Sequence, residues 1–110
     1  MFRLAIVQPI AHPPAEAQAN VADAVDHVAR AAAQGAHFVC FPETYPGPWR
    51  LPATFDPTEA MVQAAAQHGV HVVFGTIEPI AGTSASAHNL ICMAYPDGRP
   101  PARYRRSSPS

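Results

Sequence analysis

Apolar residues fall along the chain in short runs, and two stretches of helical periodicity separate the first three. Leu4 to Gln8 reads as a short buried strand closed by Pro9. Ile10 to Ala19, with Pro13-Pro14, reads as a loop. A helix fits Val21 to Gln34, where Val21, Val25, Val28 and Ala32 build one apolar stripe. Asn20 is the expected N-cap, Asp23 suits the positive end of the helix, and Asp26–Arg30 forms an i,i+4 pair. Gly35 closes the helix. His37 to Phe41 lacks polar alternation, which predicts a strand covered on both faces. A Pro- and aromatic-rich loop follows over Glu43 to Phe55. A second helix fits Pro57 to His68, capped by Asp56 with Glu59 completing a capping box and Gly69 ending it. Val70 to Phe74 and Asn89 to Tyr95 are further apolar strands. Pro96-Asp97-Gly98 is a turn that leads back through a hairpin to a strand around Ala102 to Arg105. Strand, helix, strand, helix, strand and hairpin predict an α/β fold with parallel strands and right-handed crossovers.

The chain has 110 residues, 48% hydrophobic and 14% charged, which is enough for one small domain with a core and argues against disorder. A net charge of −1 lacks the basic excess of a dedicated nucleic-acid binder. No apolar run is long enough to span a membrane. Cys40 and Cys92 form no CxxC pair, and both read as buried core thiols in a reducing, cytoplasmic setting. All seven basic residues are Arg.

Glu43 is the residue best placed for chemistry. It directly follows a strand, in Phe41-Pro42-Glu43, and ligands of open α/β sheets bind beyond the carboxyl ends of strands. In a pocket holding few waters its carboxylate would serve as a general base, and on position alone a solvated loop acid is the competing reading. Tyr45, Trp49 and Phe55 either line a substrate pocket or pin the Pro-rich loop to the core. His68 and His71 lack an obvious third metal ligand, and His12, His27, His37 and His88 read as structural. Glu78 reads as a loop residue, and Arg99, Arg103, Arg105 and Arg106 form a local basic cluster.

The order of Leu4-Ala5-Ile6-Val7-Gln8, Phe41-Pro42-Glu43, Asn89-Leu90-Ile91-Cys92 and Pro96-Asp97-Gly98 with Arg103-Tyr104-Arg105-Arg106 resembles the N-terminal part of the nitrilase superfamily, the carbon–nitrogen hydrolases. The resemblance runs from about Leu4 to about Arg106. It implies the first part of an α-β-β-α sandwich, incomplete here, with residues 1–106 as the N-terminal portion of the domain and 107–110 as a truncated tail. It further implies hydrolysis of a small amide or nitrile without metal or cofactor, through a cysteine acyl intermediate, and a homo-oligomer. By resemblance Glu43 is the general base, and the loop aromatics Tyr45 and Trp49 stand beside it as substrate-binding candidates on their residue type and place.

Two departures qualify this picture. Arg106 stands where the family has Lys, two residues after Tyr104. Arg keeps the charge but sheds no proton readily. A tolerated variant, a weakened relative, a misread chain end and an exposed tail Arg all remain open. The family's nucleophilic Cys lies on a later strand-to-helix elbow, beyond Ser110, so this chain alone is expected to be inactive on amides and nitriles. The alternative is a non-catalytic binding or oligomerisation module, with strand edges and apolar faces left exposed.

Overall fold

The computed structural model describes residues 2–82 and 86–106. The tail expected at 107–110 lies outside the described residues. Five strands form one mixed sheet in the order β1 (Leu4–Ile6), β2 (Phe38–Cys40), β3 (His71–Pro79), β4 (Ala87–Ala94) and β5 (Ala102–Arg105). β1, β2 and β3 run parallel, joined by crossovers through α1 (Ala19–Ala33) and α2 (Thr58–His68). β3, β4 and β5 are antiparallel, and the second hairpin turns at Pro96-Asp97-Gly98 as its residues predict. The α/β class and the element order therefore match the sequence reading.

Both helices pack on one face of the sheet. Register places Val39, Val72 and Ala94 side by side, with Phe74 opposite Cys92. These side chains join Ala24 and Val28 of α1 and Met61, Ala64 and Ala65 of α2 in one buried cluster. The stripe on α1 is rotated from the expected one: Asn20, Ala24 and Val28 are buried, and Val25 and Ala32 flank them. Ala24 and Val28 are both fully buried, so the seam runs along them and Val25 lies at its flank.

The other face of the sheet differs from expectation. Strands predicted to be covered on both sides are covered by helices on one side only, among the described residues. The opposite face carries Ile6, Cys40, Val73 and Met93 in one row and Gly75, Ile91 and Tyr104 in the next. Ile6 is 70% exposed and Tyr104 62% exposed. β1 is thus a short edge strand rather than a buried one, and Cys40 is half-buried rather than a core thiol. Cys92, on the helix side, is buried as predicted.

The helix starts also differ in detail. A 3-10 turn over Pro14–Glu16 runs into α1, which begins before Asn20. Backbone carbonyls of Ala17 and Gln18 accept from Asn20 and Val21, so first-turn N–H groups are satisfied without an Asn cap. Asn20 is released for tertiary bonds. In α2, Asp56 Oδ1 accepts from the Thr58 N–H, close to the capping predicted, whereas Glu59 accepts from Gln63 rather than closing a capping box. Gly69 ends α2 in the left-handed region, with φ of 67°.

Candidate functional site

Glu43 lies on the loop that leaves β2 at the carboxyl ends of the parallel strands. The Phe41 N–H donates to the Val73 carbonyl at 2.9 Å, so the sheet ladder persists to the residue before Pro42. The chain then turns sharply: the Tyr45 N–H donates to the Pro42 carbonyl at 3.1 Å, and Thr44 adopts φ of 58°. That positive φ is uncommon for a Thr, and its hydroxyl donates to the Glu43 carbonyl at 2.6 Å. Past the turn the loop lies against β3. The Gly75 N–H donates to the Tyr45 carbonyl at 2.7 Å, and the Gly47 N–H donates to the Gly75 carbonyl at 3.2 Å. A side chain at Gly75 has no room, because a Cβ there would sit 2.3 Å from the Thr44 nitrogen. Gly75 is a site-building residue that sequence reasoning passed over. A glycine inside an apolar strand, the usual mark of close backbone approach, was the signal for it.

Arg106 reaches this site from the far edge of the sheet. Its N–H donates to the Asn89 carbonyl at 2.9 Å, which extends the β4–β5 ladder by one residue. Alternation along β5 sends Arg103 and Arg105 to one face and Tyr104 and Arg106 to the other. The Arg106 guanidinium Nη1 donates to Glu43 Oε1 in an ion pair. Two residues 63 positions apart, chosen from sequence for acid–base and charge roles, therefore meet. Both side chains remain about half exposed, so the closed, water-poor pocket considered for Glu43 is not formed among the described residues.

The other candidates separate from this pair. Tyr45 is packed in the core. It is 4% exposed, tilts against Phe41 and donates its hydroxyl to the Asn20 carbonyl at 3.3 Å. Burial, with Asp23 adding to it, pushes its phenol pKa up and keeps the hydroxyl a donor. Trp49 lines a cavity of about 270 Å3 with Ala15, Ala17 and Leu51, and Glu43 is not part of that lining. Tyr45 is thus held in the core, while Trp49 borders a cavity apart from Glu43.

Glu78 lies within β3, not in a loop. Arg105 binds it at 2.7 Å and Arg103 lies 3.6 Å away. The hydrogen bond from Arg105 holds its carboxyl below the ordinary Glu value. Arg99 meets Asp97 and covers the Tyr95 ring, so each Arg of the basic cluster is engaged with a carboxylate. His71 stacks on Phe38 with ring centroids 4.2 Å apart, a packing role rather than a ligand pair with His68. His12 meets Asp23 at 2.8 Å, and His27 contacts Arg30. Among the described residues no three His, Cys, Asp or Glu side chains are grouped to hold a metal ion. Burial raises the pKa of both thiols, and Glu43 is bonded to Arg106 rather than to either of them.

Residues 3–109 match the sequence profile of a family described as carbon–nitrogen hydrolase. The chain belongs to this family. No curated protein matches the carbon–nitrogen hydrolase chain by sequence. Solved structures similar to it include the NitN amidase from Nesterenkonia sp. AN1, at 22% identity and a TM-score of 0.81. That match covers 100% of this chain and 46% of the amidase. A variant of the same amidase in complex with butyramide aligns at 21% identity and a TM-score of 0.81, over 99% of this chain and 44% of that one. Another variant shows covalent addition of the acetamide moiety of fluoroacetamide at its active-site cysteine. It aligns at 21% identity and a TM-score of 0.79, over 97% of this chain and 43% of that one. The carbon–nitrogen hydrolase chain thus shares their fold and spans less than half of their length.

Proposed function

We propose that this chain supplies the general base and the cation of a carbon–nitrogen hydrolase acting on a small amide or nitrile. The observation that carries this reading is the Glu43–Arg106 pair at the carboxyl ends of the parallel strands. The nucleophile is a cysteine from another segment, since Cys92 is buried in the core and the Cys40 thiol has a pKa raised by burial. On this reading the 110-residue chain alone does not turn over amides.

The chemistry follows from the two groups. The Glu43 carboxylate accepts the thiol proton, and the thiolate adds to the amide carbonyl carbon. The carbonyl oxygen becomes an oxyanion, which N–H donors of Arg106 stabilise without giving up a proton. The C–N bond then breaks, the Glu43 carboxyl returns its proton to the departing nitrogen, and a thioester remains. Glu43 next takes a proton from water, whose oxygen displaces the thiolate and releases the acid. Amidases of the same fold that bind butyramide or carry an acetamide adduct at cysteine support this assignment.

The test is Glu43→Gln in the hydrolase that carries this chain. General-base loss is expected to lower turnover by about 10²–10⁴-fold. Unchanged turnover refutes the base assignment. The exposed sheet face bearing Ile6, Ile91 and Tyr104 favours one other reading, a non-catalytic binding or oligomerisation module. That reading predicts no hydrolysis from the whole protein under any condition.

A further inference from the structure

The Glu43 loop is gripped from two sides, and only one grip is backbone on backbone. On the β3 side, Gly75 exchanges hydrogen bonds with Tyr45 and Gly47. On the α1 side the grip centres on one residue, Asn20, through its side chain and its backbone carbonyl. Asn20 is 0% exposed, and its Nδ2 donates to the Pro46 carbonyl at 3.3 Å. Its Oδ1 accepts from the His12 N–H at 2.8 Å, and its own carbonyl accepts from the Tyr45 hydroxyl at 3.3 Å. One residue therefore ties the β1–α1 loop to the β2–α2 loop. Both loops emerge at the strand ends where Glu43 sits.

We infer that Asn20 is a positioning residue for Glu43, acting through the Tyr45–Pro46 segment. The inference rests on the reading of Glu43 as the base. The side-chain requirement is specific. The head must donate to one loop and accept from the other, and a planar amide does both in a small volume. Asp matches Asn in shape but is acceptor-only when ionised, so it holds His12 and releases Pro46. Buried polar groups left without partners are strongly disfavoured, so the loop moves to find water. Displacement of about 1 Å at a catalytic group is enough to lower turnover about 10²-fold.

The test uses the full hydrolase that carries this chain, with active sites counted by acylation of the nucleophilic thiol. Asn20→Asp is expected to lower kcat per titrated site about 10–100-fold while KM stays within about threefold. Tyr45→Phe, which removes one hydrogen bond and keeps the ring, is expected to lower it less. In a Glu43→Gln background the Asn20→Asp effect is expected to vanish, because a residue acting through Glu43 has nothing left to position. A role confined to folding instead lowers the titre and the melting temperature, and leaves kcat per site unchanged. That result overturns the inference, as does an undiminished Asn20→Asp effect in the Glu43→Gln background. If Asn20→Asp does not fold, Tyr45→Phe decides by the same two readouts. Full turnover in Glu43→Gln alone removes the base reading and this inference together. Loss of turnover there, with wild-type kcat in Asn20→Asp, overturns the inference only.

Discussion

Gly75→Ala isolates the contact between β3 and the Glu43 loop. The added Cβ would lie 2.3 Å from the Thr44 nitrogen, 2.7 Å from its Cα and 3.2 Å from the Tyr45 nitrogen. These are backbone atoms, so no side-chain rotation relieves the overlap. The loop must retreat by about 1 Å to restore ordinary contact distances. Overpacking of this kind costs about 1–3 kcal/mol. Weakening the two Gly75 hydrogen bonds to Tyr45 and Gly47 adds about 0.5–1.5 kcal/mol each. The sum, about 2–6 kcal/mol, is a large part of the roughly 5–15 kcal/mol that holds a domain folded. The opposite sign is expected if the contact is absent: Gly75 is not among the positive-φ residues, and Gly→Ala at a compatible strand position stabilises by about 0.4–1 kcal/mol. Urea unfolding of wild type, Gly75→Ala and Gly69→Ala tests this. Gly69 has φ of +67° and nothing within 4 Å of its added Cβ, so it reports backbone strain without collision. A Gly75→Ala midpoint at or above wild type, or no lower than that of Gly69→Ala, refutes the close-approach account.

Other outcomes follow from the same geometry. Arg106→Gln in the hydrolase that carries the chain is expected to lower kcat about 10²-fold by removing the charge opposite the oxyanion. Because the Glu43–Arg106 pair is half exposed, unfolding free energy is expected to change by no more than about 1 kcal/mol; a larger stability loss with normal kcat reverses the assignment. Glu78 has a depressed pKa in the fold, so its pairing with Arg105 stabilises above the unfolded Glu value and is lost as pH falls through the folded value. The melting-temperature gap between wild type and Glu78→Gln should therefore be present at neutral pH and close in acid, and a gap that widens in acid contradicts the pairing. Burial raises the pKa of both thiols, so a disulfide reagent at pH 8 should label half-buried Cys40 slowly and Cys92 only on unfolding. Rapid labelling of Cys92 in the native chain would contradict its place in the core.

Local chemistry determined much of this protein from sequence alone. The Pro96-Asp97-Gly98 hairpin, the glycine stop at Gly69 and the Ala102–Arg105 strand depend on neighbouring residues only, and all were legible. So was the place of Glu43, because an acid directly after an apolar strand lies at the sheet's carboxyl end wherever the strand goes. Tertiary structure decided the rest. Periodicity marks which residues are apolar but not which layer covers them, so it predicts burial for β1 and Cys40 although, among the described residues, the helices cover only the opposite face. Asn20 has the residue type of a cap, yet preceding carbonyls already serve the first turn, and its amide was free to join two loops. Gly75 carries no side chain to announce its role, which exists only because the Thr44–Tyr45 backbone passes within van der Waals reach. The meeting of Glu43 with Arg106 is likewise a property of the sheet. Strand order and register carry an Arg from one edge to an acid 63 residues earlier, and no local pattern encodes that distance.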